Sequence, residues 1–286
     1  MTYFRTIRSL YHPFPGLLLG SLVAAGMATH ASASIIAFNA AGATPASITS
    51  TVNDFRTQIG GGTTPGANGD FGGVRREINW DGVPAAASDP NLMPADFFNT
   101  TSPRGAVFST PGTGFLVSGN VGAALFGFAG DLQTFSPAKL FTAVNSNITD
   151  VNFFVPGTTT AATTSAFGVV FVDVETANLT KIDFFDTSNT LLFTQFAQVA
   201  GNQGLSFVGG VANAGERIAR VRITSGANTI VSNGVLGNQT DDLVVMDDFI
   251  YGTPTAAAAA TPEPGSLSLL GLGIVAFGCA RKKFRR

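Results

Sequence analysis

From Gly105 onward the chain breaks into short apolar runs separated by turn residues, and this spacing limits the fold more than any other feature. Runs at 105–109, 114–118, 138–144, 148–155, 166–174, 179–186, 190–197, 205–211, 217–224 and 243–251 are rich in Val, Ile, Phe and Thr. Pro111-Gly112, Pro156-Gly157, Ser188-Asn189 and Ser225-Gly226 stand between them, and tight turns favour such residues. Long amphipathic helical patterns are absent. The fold class expected is therefore all-β, an antiparallel sandwich of the jelly-roll-like kind. In one run Ala219, Val221 and Ile223 alternate with Arg220 and Arg222, which predicts one buried and one wet face. Another, Phe167-Gly168-Val169-Val170-Phe171-Val172, is apolar on both parities, as a central strand covered on both sides must be.

Residues 34–104 are less regular. Ile35-Ile36-Ala37-Phe38 reads as a first strand. Val52, Phe55 and Ile59 fall at helical spacing within 47–59, which predicts a short helix there. The glycine-rich stretch 60–70 has no Gly-Lys-Ser/Thr after it, so it is a loop and not a phosphate cradle. Phe97 and Phe98 anchor an irregular passage between Pro94 and Pro103. The expected organisation is a wrap, 34–104, belonging to the same domain as a sandwich at 105–252, followed by a linker at 253–261.

Both ends carry targeting features. Arg5 and Arg8 precede the apolar stretch 17–25, and Ala31-Ser32-Ala33 supplies small residues at cleavage spacing. Residues 1–33 thus read as a secretory signal peptide. At the other end Pro262-Glu263-Pro264 is followed by an uncharged run, 267–280, and then by Arg281, Lys282, Lys283, Arg285 and Arg286. As a helix that run spans ~21 Å at ~1.5 Å per residue, short of a hydrocarbon core of ~30 Å. Snorkelling basic residues extend its reach and hold that end on the cytoplasmic side. The order of triplet, apolar run and basic end in 262–286 resembles the PEP-CTERM sorting tail of Gram-negative bacteria. The resemblance implies a transmembrane sorting helix, processing near the triplet by an exosortase-type enzyme, and passage through the secretion machinery. It also implies delivery to the cell surface or extracellular matrix. The segments 79–84, 102–105 and 246–252 are similar to landmarks of a group of PEP-CTERM exported proteins, a likeness that brings no substrate with it.

Removing the two ends narrows the chemistry. His12 and His30 lie in the leader and Cys279 in the tail. The body therefore has no disulfide, no nucleophile activated by histidine, and no zinc site of nitrogen and sulfur ligands. Seven of the 16 Lys and Arg, but only one of the 18 Asp and Glu, lie in the ends. The body keeps nine basic against seventeen acidic residues, a net charge of −8. Such a surface excludes nucleic acid as a partner.

Three function classes fit what remains. The leading expectation is an exported, non-catalytic surface or matrix protein. The alternative is a carbohydrate-binding module for exopolysaccharide, with Trp80 as an aromatic plate beside Asn79 and Asp81. The competing reading packs Trp80 inside, with Asp81-Gly82 as a turn. A carboxylate-dependent glycan hydrolase or lyase is the third class, and no catalytic residues are assigned to it. For a metal, calcium is the cation that Asp173, Asp247 and Asp248 would take together. On a regular strand Asp247 and Asp248 point to opposite faces, so one of them enters the core unless a bulge resets the register. The buried one is then expected to pair with backbone amides or an arginine, Arg220 and Arg222 being nearby candidates.

Overall fold

The computed structural model describes residues 34–63, 73–119, 126–128, 130–231, 235–236 and 241–257. The leader, the Pro-Glu-Pro triplet, the apolar run and the basic end lie outside these residues. Among the described residues no helix is long and apolar enough to cross a membrane.

The elements, in order, are β1 (Ile35–Gly42), α1 (Pro45–Ile59), β2 (Arg75–Ile78), α2 (Phe97–Thr100), β3 (Ala106–Ser109), β4 (Gly114–Val117), β5 (Phe141–Val144) and β6 (Ile148–Phe153). There follow β7 (Ala162–Thr163), β8 (Ala166–Val172), β9 (Lys181–Phe185), β10 (Leu191–Phe196), β11 (Leu205–Ala212) and β12 (Arg220–Thr224). The last are β13 (Ile230–Val231), β14 (Val235–Leu236), β15 (Val245–Gly252) and β16 (Thr255–Ala256). Each of the ten runs predicted after Gly105 holds a strand. The chain before it is more regular than expected, because β1 continues four residues past Phe38 and β2 is a ladder strand.

One sheet runs β1-β11-β8-β15-β5-β13-β14, with β2 also on β15 and β4 also on β5. Its pairings are antiparallel apart from β13 on β5. The second sheet runs β10-β9-β12-β6-β3 and is antiparallel throughout. A short ladder joins β16 to β7.

The two sheets share one buried cluster, a sandwich-like arrangement. Phe167, Val169 and Phe171 of β8 and Phe249 and Tyr251 of β15 meet Ile182, Phe184, Val221, Ile223 and Phe108 from the other sheet. Ring contacts cross the gap: Phe167 to Phe184 at 6.5 Å, Tyr251 to Phe153 at 5.6 Å, and Phe249 to Phe108 at 6.1 Å. Such aromatic pairs contribute beyond their buried area. Val221 and Ile223 are buried as the alternation predicts. Arg222 pairs with Asp150 through two bonds of 2.9 and 2.7 Å on the outer face, joined by Arg220 at 2.8 Å.

The first sheet buries its other face under α1. Pro45 opens this helix, where its missing N–H is no loss. Gly60 closes it at φ 111°, its N–H donating to the Arg56 carbonyl. Ile48, Val52 and Phe55 project onto Ala166, Val170 and Val172 of β8 and onto Leu205 and Phe207 of β11. Both parities of β8 are therefore buried, for two different reasons. The contact is closest where Gly168 and Gly209, cross-strand partners, leave a notch. A Cβ on Gly168 would lie 2.8 Å from the Phe55 ring, and one on Gly209 2.9 Å from it.

Removing the Phe55 ring should cost ~3–5 kcal/mol, as for buried Phe→Ala elsewhere. Gly168→Ala should also lower the melting temperature, and by less in the Phe55→Ala background, where part of the clash is gone. Costs that simply add, in a double-mutant cycle of denaturant unfolding, would contradict this docking.

Candidate functional site

Along β15 the faces change over at Asp247 and Asp248. Met246 pairs with Phe171 and Phe249 with Val169, so two residues of β15 stand opposite Val170 alone. This is a β-bulge. It places Val245 and Ile250 on the α1 side and Met246, Phe249 and Tyr251 on the side of the second sheet. Strict alternation along β15, the expectation for a regular strand, is thus corrected. The strand also changes neighbours here: Met246 pairs with Phe141 of β5, whereas Phe249 to Gly252 pair with β2.

The bulge brings together two carboxylates that a regular strand would separate. Both are buried, Asp247 at 0 % and Asp248 at 3 % exposure. Asp247 Oδ2 accepts from the backbone N–H of Phe135 at 2.6 Å and of Ser136 at 3.2 Å. The Ser136 hydroxyl donates to Asp248 Oδ1 at 2.6 Å. The same hydroxyl lies 3.4 Å from Asp247 Oδ1. Burial raises the Asp247 carboxyl well above the ordinary range, and the Asp248 charge adds to the rise. Burial likewise raises Asp248, to about 6, against the hydrogen bonds it accepts and the nearby Arg56.

Basic groups reach the pair from α1, not from β12. Arg56 Nη2 lies 3.9 Å from Asp248 Oδ2 and 2.9 Å from Glu77 Oε2. Arg56 Nε and Arg75 Nε both donate to Glu77 Oε1, at 3.1 and 2.7 Å. Arg220 and Arg222 instead serve Asp150. Arg56, Glu77 and Ser136 were not among the residues singled out from the sequence. One signal was available for Arg56: it follows Val52 by four residues and so lies on the apolar stripe of α1. Together α1, β2, the 135–137 loop and β15 enclose a cavity of about 360 Å³, lined among others by Asn53, Arg56, Glu77, Asn79, Phe135 and Asp248.

The structure also corrects the reading of Trp80 as a sugar-stacking plate. Its side chain is fully buried, stacks on Phe141 at 4.0 Å, and meets Phe98 and Phe249 edge-on. Its Nε1 donates to the Asp247 carbonyl at 2.8 Å. That bond and the stack hold Trp80 at φ 67°, a region bulky residues seldom occupy. Asp81 works on the neighbouring loop, where its Oδ1 accepts from the N–H of Ala138 at 2.6 Å and of Lys139 at 3.3 Å. Burial raises the Asp81 carboxyl despite those amides and the Lys139 charge. Asn79 Nδ2 donates to Asp81 Oδ2 at 2.9 Å. Its Oδ1 is buried and has no hydrogen-bond partner among the described residues.

Asp173 does not join the pair. It accepts from the Gln203 N–H at 2.8 Å. Burial raises it to about 6, and the charges of Glu175, Asp242 and Asp131 add to that. The calcium set expected from Asp173, Asp247 and Asp248 is therefore divided between two places. Among the described residues no group of three or more His, Cys, Asp or Glu is placed to hold a metal.

Comparison with known proteins bears on the tail. The PEP-CTERM protein-sorting motif matches residues 260–283, which include Pro262, Glu263, Pro264, Arg281, Lys282 and Lys283. No curated protein and no solved structure matches the chain. The motif implies an exported, cell-surface protein processed by an exosortase-type enzyme.

The carboxyl pair gives folding a pH dependence of definite sign. Both groups hold protons more tightly when folded, so their stabilisation is complete below about pH 4, where unfolded aspartates are also protonated. The Asp248 share is lost as pH rises through about 6, and the Asp247 share as pH rises through its own raised value. The melting temperature should fall across this window, and Asp248→Asn and Asp247→Asn should flatten the fall. Asp173→Asn serves as a control for the second raised carboxyl. An unchanged slope in both variants of the pair would show that the pair does not titrate this way.

Proposed function

We propose that this chain is an exported, non-catalytic surface or matrix protein, delivered by its tail and released as a folded body after processing near Pro262-Glu263-Pro264. The observation that carries this reading is the sorting motif at 260–283. In it, residues 1–33 are a cleaved leader, and the apolar run 267–280 with its basic end is a temporary membrane anchor. The body is a jelly-roll-like sandwich. Residues 34–104 belong to it, since β1 and β2 add strands to the larger sheet and α1 covers that sheet's outer face. Its lack of His and Cys supports a non-catalytic role. So does the use of two carboxylates raised by burial as ties: Asp247 and Asp81 each accept from backbone N–H groups of the 135–139 loop.

Intact-mass analysis of protein shed from the producing cell checks the sorting reading. The expected species begins after Ala33 and ends near the triplet. Recovery outside the cell of a species that still carries Arg281–Arg286 would overturn it.

A further inference from the structure

Among the described residues β1 is an outer strand of the larger sheet and pairs only with β11. A strand in that position frays from its free end unless the end is tied down. The tie lies just before Ile35. The Ser34 carbonyl accepts from the Asn213 N–H at 3.1 Å, which carries the ladder one step past the pairing of Ile35 with Ala212. The Ser34 backbone nitrogen donates to Glu216 Oε1 at 2.7 Å. Glu216 is itself held by the turn between β11 and β12, where its Oε2 accepts from the Ala214 N–H at 3.0 Å.

This carboxylate has no cation. Hydrogen bonds, that of the Ser34 N–H foremost, hold the Glu216 carboxyl below its ordinary range, so it is negative at neutral pH. Among the described residues no basic side chain pairs with it. Arg217, next in the chain, gives its guanidinium to Thr163 and Thr255 instead. In the precursor the Ser34 nitrogen belongs to a peptide bond and offers one neutral N–H. Hydrolysis of the bond between Ala33 and Ser34 leaves a carboxylate on Ala33 and an amine on Ser34. An α-amine ordinarily titrates near ~8 and so takes up a proton at neutral pH. The nitrogen that faced Glu216 as an amide then faces it as an ammonium.

We propose that removal of the leader after Ala33 creates an ion pair between the Ser34 α-ammonium and Glu216, and that this pair fastens β1 once the chain has been exported. The inference rests on the reading of residues 1–33 as a cleaved leader. A hydrogen bond between two charged groups is stronger than the neutral-donor bond it replaces. The edge of the larger sheet is therefore held less firmly in the precursor than in the processed protein.

Hydrogen exchange across β1, read by mass spectrometry, tests the pair. Three chains kept in detergent are compared: residues 34–286 beginning at Ser34, the same chain with two glycines ahead of Ser34, and the first chain carrying Glu216→Gln. Glutamine still accepts the hydrogen bond but has no charge. At low salt β1 should exchange about two- to fivefold more slowly in the chain that begins at Ser34 than in either of the others. The gap should close in ~0.5 M salt, where charges near the surface are screened. Equal exchange in the first two chains at low salt, equal protection in Glu216→Gln, or a gap that salt leaves intact would overturn the proposal. The glycine and salt comparisons decide it without the Glu216 variant. N-terminal sequencing of the exported protein judges the leader separately. A first residue other than Ser34 defeats the cleavage reading, whereas the exchange comparison, made on chains of defined start, judges the pair by itself.

Discussion

The fold depends on one irregularity, the two-for-one pairing of Asp247 and Asp248 against Val170. β15 is covered on both faces and paired along both edges, so the position of its bulge fixes its neighbours. Before the bulge β15 pairs with β5 and after it with β2. The same step lets Val245 and Ile250 both reach α1 while Met246 and Phe249 both reach the second sheet. A regular strand would have sent one aspartate into each layer. The bulge instead puts both beside the 135–137 loop, where backbone amides and one hydroxyl can satisfy them.

That loop is held from two sides. Asp247 takes the amides of Phe135 and Ser136, and Asp81 takes those of Ala138 and Lys139. Lys139, whose own proton affinity is lowered by burial, closes the arrangement by donating to the Val83 carbonyl at 2.5 Å and to Ser88 Oγ at 3.1 Å. Beside it, Glu77 is shared between Arg56 and Arg75. Networks of this kind add little over a well-packed apolar core, but losing one member strands a buried charge. In a body with nine basic residues, three are committed to this corner.

Period and parity made much of the fold legible. The run 167–172 is apolar on both parities because two different layers cover it, and 219–223 alternates because only one does. Phe55 and Val52 announced α1 for the same reason. What the pattern could not carry was anything set by a break in the pattern. The residues 243–251 are apolar at nearly every position, so they tolerate a register shift without any visible change in composition. Where the shift falls depends on what stands beside the strand, here β5, β2 and Trp80. The partners of the aspartates were hidden likewise. Arg220 and Arg222 are close in the chain's strand order but face outward in the other sheet, whereas Arg56 arrives from a helix nearly two hundred positions away. Trp80, with polar neighbours on either side, carried the composition of a binding face and the placement of a core residue.

The indole at the bulge has one more consequence. Trp80 is the only tryptophan in the chain, and it touches both the Asp247 carbonyl and the Phe141 ring. Tryptophan emission from this protein is therefore emission from a single joint, the point where β15 exchanges one neighbour for another. Its colour and yield register whether that joint is dry and closed, without any label added to the molecule.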